Sequence, residues 1–210
     1  MSSHATVKLD VANYYTAKLE LHGPCPQGVD WNSEKSQLLR FEQLCRVIPA
    51  GTRLGSLLDY GCGYGALLPY LSAQHPGLQY TGFDIAPAMI AAARKLYPTA
   101  SAQWRGSLET EEQFDYVVAS GIFNVKMERS DSEWQAYILD TINELNRRAR
   151  RGFSFNILTS YSDAELMQAQ LFYADPDWLF GYCKRHCSRF VALLHDYPLY
   201  EFTIIVRKDV

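Results

Sequence analysis

The sequence predicts an α/β fold with a mostly parallel sheet. Three observations support this: short apolar runs alternate with amphipathic stretches, a glycine-rich loop follows the first central run, and two β-rich segments flank a turn near the C-terminus. Strands that alternate with helices favour parallel β-α-β units, and the closing pair adds an antiparallel strand at one edge. With 210 residues, the chain is long enough for one well-buried domain and too short for two of full size.

The first fifty residues predict two helices joined by an irregular segment. Apolar residues recur at helical spacing over 9–21 and again over 34–47, where Asn32 or Ser33 can cap the second helix. Two prolines and two glycines in residues 22–28 are incompatible with either regular structure.

The alternation then continues to the C-terminus. Strands are predicted for the apolar runs at 54–60, 79–83, 102–104, 114–119 and 152–158, and for a hairpin-like pair at 189–194 and 200–207. Amphipathic spacing predicts helices through Leu67 to Leu71 and over 88–96, 132–150 and 175–186. Pro87 suits the first turn of the helix at 88–96, and Pro98 follows its end.

Charge and composition disfavour several classes of partner. A formal net charge of −3 is unusual for a protein that grips a long nucleic acid, and the one dense basic run, 147–151, closes the predicted helix 132–150, where the helix dipole and water stabilise it. The sequence has no run of eighteen or more apolar residues, so no membrane span is predicted, and residues 1–10 lack the apolar core of a signal peptide. Five cysteines without framework spacing indicate reduced thiols. We expect a cytoplasmic monomer or homodimer without nucleic-acid or membrane partners.

A glycine loop is the strongest functional signal. Gly61, Gly63 and Gly65 follow the strand at 54–60 directly, and glycine lets the backbone turn sharply and approach a ligand closely. Asp84 stands at the end of the next strand, where a carboxylate can accept hydrogen bonds from both hydroxyls of a ribose. Gly61, Gly63 and Ala66 also satisfy the looser dinucleotide fingerprint Gly-x-Gly-x-x-Gly/Ala, so a nicotinamide oxidoreductase is one alternative.

Asp59 separates the two classes of cofactor. It lies near the end of the strand at 54–60, two residues before the first glycine, where a carboxylate would repel a pyrophosphate held at the helix N-terminus. The same carboxylate suits a ligand that carries an ammonium group, such as the methionine part of S-adenosylmethionine. The sequence therefore favours S-adenosylmethionine over a dinucleotide.

Residues 57–65 resemble the first motif of the class I (Rossmann-like) S-adenosylmethionine-dependent methyltransferases. Residues 82–86 resemble the second motif, and residues 114–121 resemble the motif of the fourth strand. The resemblance spans about 54–158. It implies a Rossmann-like three-layer sandwich with a seven-stranded sheet in the order 3-2-1-4-5-7-6, strand 7 being antiparallel.

The resemblance also implies where the cofactor binds. Asp59 and the backbone of the glycine loop would hold the methionine part, and Asp84 would hold the ribose. Ile85 and Met89 would lie beside the adenine, which the turn after the third strand would border, although this turn lacks the acid that is frequent there. The cofactor contacts expected are Asp59, Tyr60, Gly61, Cys62, Gly63, Gly65, Asp84, Ile85, Met89, Gly106, Ser107, Leu108 and Ser120.

The methyl acceptor is less well defined by the sequence. Enzymes that methylate adenine, cytosine or glutamine amides commonly place Asn/Asp-Pro-Pro-Tyr at the end of the fourth strand, and residues 120–125 contain no proline. Asn124 could orient a polar group of the substrate or bond its own loop backbone. The N-terminal residues 1–50 are expected to form a helical lid on a sheet domain at 51–210. Tyr14, Tyr15, Trp31, Asn124 and Tyr173 are the predicted substrate contacts.

Two histidines are candidates for a general base. His195 lies beside Asp196 in the C-terminal loop and could accept a proton from a hydroxyl or carboxyl nucleophile, or could be an ordinary turn residue. His22 is the second candidate. Cys183 and Cys187 are four positions apart on a predicted helix, but no second pair completes a tetrahedral site, so we expect no metal.

These patterns favour a small-molecule methyltransferase that acts on an oxygen nucleophile. The alternatives are N-methylation of a small molecule or a protein, and a non-catalytic protein that binds S-adenosylmethionine.

Overall fold

The computed structural model describes residues 3–52, 55–98 and 102–208. Six α-helices form: α1 (Ser3–His22), α2 (Glu34–Cys45), α3 (Leu67–Gln74), α4 (Pro87–Leu96), α5 (Asp131–Arg148) and α6 (Pro176–His186). Seven strands form: β1 (Ser56–Tyr60), β2 (Gln79–Phe83), β3 (Gln103–Arg105), β4 (Phe114–Ala119), β5 (Ala149–Leu158), β6 (Phe190–Leu194) and β7 (Glu201–Arg207). Short 3-10 helices lie at Pro26–Val29 and Ala164–Leu166.

The seven strands form one sheet in the order β3-β2-β1-β4-β5-β7-β6. Strands β1, β2 and β3 pair in parallel, as do β4 and β5, whereas β7 is antiparallel to both of its neighbours, β5 and β6. This order confirms the α/β class and the topology that the motifs imply. Since β6 and β5 are both antiparallel to β7, the carboxyl ends of β4, β5 and β6 lie on the same edge.

The chain divides into two compact units. Residues Met1–Glu42 and Gly51–Glu112 form the first, and Gln43–Ala50 and Gln113–Val210 form the second. The core of the first unit includes the buried Leu57, Leu58 and Tyr80, because the central strands carry apolar side chains on both faces. In the second unit, Trp134 of α5 and Phe153 of β5 are fully buried. The single domain with a lid at 1–50 stays a prediction.

The element boundaries differ from the predictions mainly at the ends. Helix α1 begins earlier than position 9, since Val7 is buried and extends its apolar face. Strands β2 and β4 have the predicted bounds. The predicted start of the first strand at Leu54 lies outside the described residues.

The basic run 147–151 closes α5 as predicted, but one of its arginines is not solvated. Arg147 and Arg148 lie in the last turn of the helix, and Arg147, Arg150 and Arg151 are exposed. Helix α5 ends at Arg148, and the small, buried Ala149 begins β5 opposite Phe114. The side chain of Arg148 is only 5% exposed, and its Nε lies 2.5 Å from Glu144 Oε1. The run therefore includes a buried cation that contributes to packing at the helix–strand junction.

None of the helices within the described ranges is long and apolar enough to span a membrane.

Candidate functional site

The glycine loop joins β1 to α3 with a backbone that favours glycine. Gly61, Gly63 and Gly65 have φ values of 80°, 53° and 87°, in the left-handed region that side chains disfavour. The N–H groups of Gly61 and Cys62 both donate to the carbonyl oxygen of Phe83, at 2.7 and 2.9 Å. These bonds hold the loop against the end of β2.

Asp84 fixes the loop from the same strand end. Its Oδ2 accepts the Gly63 N–H at 2.8 Å, and its Oδ1 accepts the Ala86 N–H at 2.8 Å. Burial raises the pKa of Asp84 to about 6, against the two backbone hydrogen bonds that lower it. Each carboxylate oxygen has a second lone pair, so Asp84 can accept further hydrogen bonds from a ligand diol.

Asp59 lies at the end of β1 and is 3% exposed. Its Oδ2 accepts a hydrogen bond of 2.5 Å from the hydroxyl of Tyr80. Burial raises the pKa of Asp59 to about 7, the Tyr80 hydrogen bond lowers it, and the nearby charge of Asp84 raises it. A bound cation would favour the ionised carboxylate and lower this pKa.

The indole of Trp104 packs closely against Gly65 of the loop and Gly82 of β2, a contact that the sequence did not predict. A Cβ on Gly65 would lie 2.4 Å from Cη2 of Trp104, and one on Gly82 would lie 2.5 Å from Cζ3 of the same ring. The indole also stacks on Tyr97, with ring centroids 5.9 Å apart. Gly65 thus has a packing role, in addition to the ligand approach for which we predicted it.

The N-terminal helices cover part of this loop. Tyr15 and Leu19 of α1 pack, together with Val29, against a buried cluster that contains Tyr64 and Met89. Ile85 packs on the same cluster, so two predicted adenine contacts and one predicted substrate contact share one apolar patch. A Cβ on Gly63 would lie 3.1 Å from Cγ1 of Val29. The hydroxyl of Tyr64 donates to Gln37 of α2 at 3.2 Å.

Polar residues of the N-terminal segment form a second group. Nζ of Lys18 lies 2.7 Å from Oδ1 of Asp30, a residue with a left-handed φ of 61°. Burial and a hydrogen bond to Asp30 raise the pKa of Tyr14 to about 12. The guanidinium of Arg40 lies 3.8 Å from the ring centroid of Trp31. His22 is exposed at the end of α1.

In the second unit, the end of β4 is tightly bonded. The N–H of Gly121 donates to Oδ1 of Asn156 at 2.7 Å. Oδ1 of Asn124 accepts the N–H of Leu158, the last residue of β5, at 3.3 Å, so this oxygen bonds the backbone of a neighbouring strand and not that of its own loop. Oγ of Ser120 is buried and has no hydrogen-bond partner among the residues that the structure describes.

The remaining candidates occupy more exposed positions. His195 follows β6 and is exposed, with its ring 6.0 Å from that of Tyr161 and 5.9 Å from that of Phe202. The hydroxyl of Tyr173 accepts the Gln168 N–H at 3.0 Å. In the turn after β3, Gly106 and Ser107 are exposed and Leu108 is half-buried. The ring of Tyr60 packs on that of Phe83. Cys62 is buried, and burial raises the pKa of its thiol well above the usual range.

No group of three or more His, Cys, Asp and Glu side chains in the described part of the chain could hold a metal ion. Cys183 is buried and Cys187 partly buried, and both are free thiols.

Comparison with known proteins places the chain among methyltransferases. Residues 58–152 match a family model described as a methyltransferase domain. "Putative methyltransferase Rv1506c" of Mycobacterium tuberculosis (strain ATCC 25618 / H37Rv) is 54% identical over 154 residues, which are 73% of this chain and 93% of that protein. The malonyl-[acyl-carrier protein] O-methyltransferase of Paenibacillus sp. (strain JDR-2) is 25% identical over 126 residues, 60% of this chain and 45% of that enzyme.

A solved structure shows the same fold. N-methyltransferase NodS from Bradyrhizobium japonicum WM9, in complex with S-adenosyl-L-homocysteine, superposes with a TM-score of 0.64 at 16% identity. The match covers 94% of this chain and 97% of that one.

The close contact between Gly65 and Trp104 gives a first prediction. We expect Gly65→Ala to lower the free energy of unfolding by about 3 kcal/mol, because the new Cβ overlaps the indole and the residue keeps a positive φ. Gly51→Ala is the matched control, since Gly51 has a φ of 74° and open space around its Cβ position. Urea unfolding measures both variants. Equal losses would mean that backbone strain alone, without the indole, determines the effect.

Proposed function

This chain belongs to the class I S-adenosylmethionine-dependent methyltransferases, and we propose that it methylates an oxygen nucleophile of a small-molecule acceptor. It is therefore an enzyme whose cofactor is S-adenosylmethionine, and the alternatives of a nicotinamide oxidoreductase and of a non-catalytic binding protein are set aside. The observation that carries the cofactor assignment is the carboxylate of Asp84 bonded to Gly63 of the glycine loop at 2.8 Å.

The residues of the first unit fit the cofactor. Both Asp84 oxygens are held by backbone N–H groups, so their free lone pairs are oriented before the ribose hydroxyls arrive. The hydroxyl of Tyr80 already donates a hydrogen bond to Oδ2 of Asp59, and we propose that Oδ1 accepts from the ammonium of the methionine part. Ile85 and Met89 supply apolar surface for the adenine. The proposed contacts of this unit are completed by Tyr60, Gly61, Cys62, Gly63, Gly65, Gly106, Ser107 and Leu108. For Ser120, in the second unit, the contact stays a prediction from the sequence.

When bound, the cofactor supplies an electrophilic methyl group on a sulfonium, so the protein has to align the acceptor and exclude water. Tyr15, packed on the same cluster as Met89, is proposed to line the acceptor site, with Tyr14 and Trp31 as further contacts from the first unit. A substrate role for Asn124 and Tyr173 stays a prediction from the sequence. An acceptor hydroxyl must also lose a proton. His195 is our candidate base, because it follows β6 at the edge where β4 and β5 also end, and His22 is the second.

Two arguments favour oxygen over nitrogen as the acceptor atom. Residues 120–125 lack the Asn/Asp-Pro-Pro-Tyr pattern of enzymes that methylate amino groups of bases. One relative is an O-methyltransferase by name, although this chain spans less than half of it. N-methylation is the second candidate function, since NodS has the same fold and is an N-methyltransferase by name.

The acceptor class is tested with methyl-labelled S-adenosylmethionine and matched pairs of small molecules. Each pair has one carbon skeleton and carries a hydroxyl, a carboxyl or an amine at the same position. We expect label in the hydroxyl or carboxyl member of a pair and a loss of at least tenfold in kcat, about 1.4 kcal/mol, with His195→Gln. Label in amines alone would contradict the proposed oxygen acceptor and support N-methylation.

Asp84 is tested by direct binding. We expect Asp84→Ala to weaken S-adenosylhomocysteine binding by about 100-fold, because two hydrogen bonds to a charged group are lost and the loop is released. The control is Asp115→Ala, since Asp115 is the second residue of β4 and its Oδ1 lies 3.6 Å from Arg150 at the surface. Calorimetry measures both dissociation constants. A value within twofold of wild type for Asp84→Ala would exclude the ribose assignment.

Binding of S-adenosylhomocysteine is expected to depend on pH. The free enzyme holds Asp59 with a pKa of about 7, and an ammonium favours the ionised carboxylate, so binding below pH 7 releases a proton. Affinity should therefore rise with pH from 5.5 to 8. Asp59→Asn should remove the part of this pH dependence that lies near pH 7 and leave the part near pH 6, which comes from Asp84.

The control ligand is 5′-methylthioadenosine, which lacks the ammonium and should show only the Asp84 component. An affinity for S-adenosylhomocysteine that stays constant over this range would contradict the Asp59 assignment.

A further inference from the structure

Strand β6 forms one edge of the sheet, and its apolar side chains stay partly exposed. Phe190 is 36% exposed, and the other four residues of β6 are half-buried. The adjacent strand, β7, differs, because its Phe202, Ile204 and Val206 are all 0% exposed. Among the described residues, no strand pairs with the outer side of β6. This edge of the sheet therefore presents apolar side chains next to backbone groups that can pair with another strand.

The backbone bonds around β7 show which neighbour each of its residues faces. The N–H of Lys208 donates to the carbonyl oxygen of Arg151 at 2.8 Å, and the carbonyl oxygen of Tyr200 accepts the Thr159 N–H at 3.1 Å, so both ends of β7 face β5. In an antiparallel sheet, successive residues of a strand bond to opposite neighbours. The even-numbered residues of β7 therefore bond to β5, and the odd-numbered residues bond to β6.

The register between β6 and β7 extends this alternation to β6. Residues 190, 192 and 194 lie opposite odd-numbered residues of β7 and therefore bond to that strand. The N–H and carbonyl groups of Val191 and Leu193 consequently point away from β7, toward the outer edge of the sheet. Both residues can donate to and accept from a further strand.

Exposed edges are usually protected against pairing with other chains, and β6 has none of the usual protection. Charged side chains, proline, a bulge or a very short strand are the common devices. The sequence of β6, Phe-Val-Ala-Leu-Leu, has no charged residue and no proline, and its register with β7 is regular. At the other edge, β3 is three residues long and carries Arg105, which bonds to Glu112. The contrast indicates that another strand covers β6.

Strand β6 is complementary to itself in antiparallel pairing. A two-fold axis at Ala192 places Val191 opposite Leu193 of a second copy, and such a pair exchanges both N–H···O bonds, as does its symmetry mate. The same register places Phe190 opposite Leu194 of the second copy, and aromatic–aliphatic pairs of this kind stabilise sheets. Every outward-pointing backbone group of Val191 and Leu193 then has a partner.

The charges at the two ends of β6 favour a second copy over an unrelated strand. Arg189 precedes the strand, and Nζ of Lys184 donates to its carbonyl oxygen, so two cations lie at this end. Asp196 is the second residue after the strand, and both Arg189 and Asp196 are exposed. Antiparallel pairing brings Arg189 of each copy next to Asp196 of the other, so opposite charges meet at both ends of the interface.

We propose that the chain forms a homodimer in which two β6 strands pair antiparallel about Ala192. The paired strands join the sheets of the two copies, and the charges of Arg189 and Asp196 select the register. The dimer does not depend on the nature of the methyl acceptor or on cofactor binding.

Sedimentation velocity of the full chain tests the dimer. We expect a concentration-dependent equilibrium between one chain and two, with a dissociation constant on the order of 10 µM, because one pair of strands is a small interface. Val191→Pro removes an outward N–H but no bond to β7, and edge strands tolerate proline. This variant should keep the circular dichroism spectrum of wild type and sediment as a monomer. Wild-type protein that stays monomeric at about tenfold higher concentration than this would overturn the proposal.

A charge-swap series at low salt identifies the surfaces that meet. Arg189→Glu and Asp196→Arg each bring like charges together at both ends of the interface, so each variant should dimerise at least tenfold more weakly, or about 1.4 kcal/mol. An equal mixture of the two variants should dimerise like wild type, because both charge contacts in the mixed dimer then join opposite signs. The double variant should also regain the wild-type dissociation constant.

The matched control is Arg150→Glu, which changes the net charge as much as Arg189→Glu but lies on β5, between β4 and β7. Its dissociation constant should stay within about twofold of wild type. A mixture of the two swap variants that stays monomeric would overturn the proposal, as would a dimer that both swap variants leave intact. The swaps change exposed side chains only, so they decide the question even if Val191→Pro does not fold.

Discussion

The bidentate contact of Asp84 with two backbone N–H groups organises the first unit. One oxygen holds Gly63 in the middle of the glycine loop, and the other holds Ala86 just before α4. Through this single carboxylate, the end of β2 determines both the shape of the loop and the start of the helix that carries Met89. The N-terminal helix then packs on that helix and on the loop together. If the carboxylate were absent, the loop would keep its bonds to Phe83 and the bond from the Gly65 N–H to the carbonyl oxygen of Cys62, but it would lose the bond at Gly63.

Much of this arrangement is local in sequence and was therefore predictable. The runs of apolar residues and the turn residues between them predicted both ends of β2 and of β4 correctly. The spacing of Asp59, the three glycines and Asp84 identified the loop and its two acids. The strand order came from a resemblance to known motifs, and the observed sheet has that order. The predicted boundary between α5 and β5 was less accurate, because an arginine at the end of a helix is usually exposed to solvent and does not indicate a buried junction. Arg148 instead pairs with Glu144 and is buried.

Contacts that join distant residues were not predictable in the same way. Trp104 stood in a weak apolar run, and nothing in its neighbourhood indicates that its ring lies under two glycines from other elements. Asn156 and Glu201 are 45 positions apart, and only the antiparallel pairing of β5 with β7 brings them together. A signal was nevertheless present, since an asparagine between Phe155 and Ile157 interrupts an apolar strand. Buried polar residues of this kind in central strands merit the same attention as residues in loops.

The indole of Trp104 has a consequence for how this sequence can change. Because the ring fills the space at Gly65 and at Gly82 at once, neither glycine can acquire a side chain while the tryptophan remains. A smaller residue at position 104 would remove the closest contacts at both positions together, although Gly65 would still carry its positive φ and a Cβ on Gly82 would still lie 3.0 Å from Sγ of Cys62. The three positions therefore form a covarying unit: among relatives, tryptophan at 104 should coincide with glycine at 82, and alanine or serine at 82 should appear only where the aromatic ring has been lost.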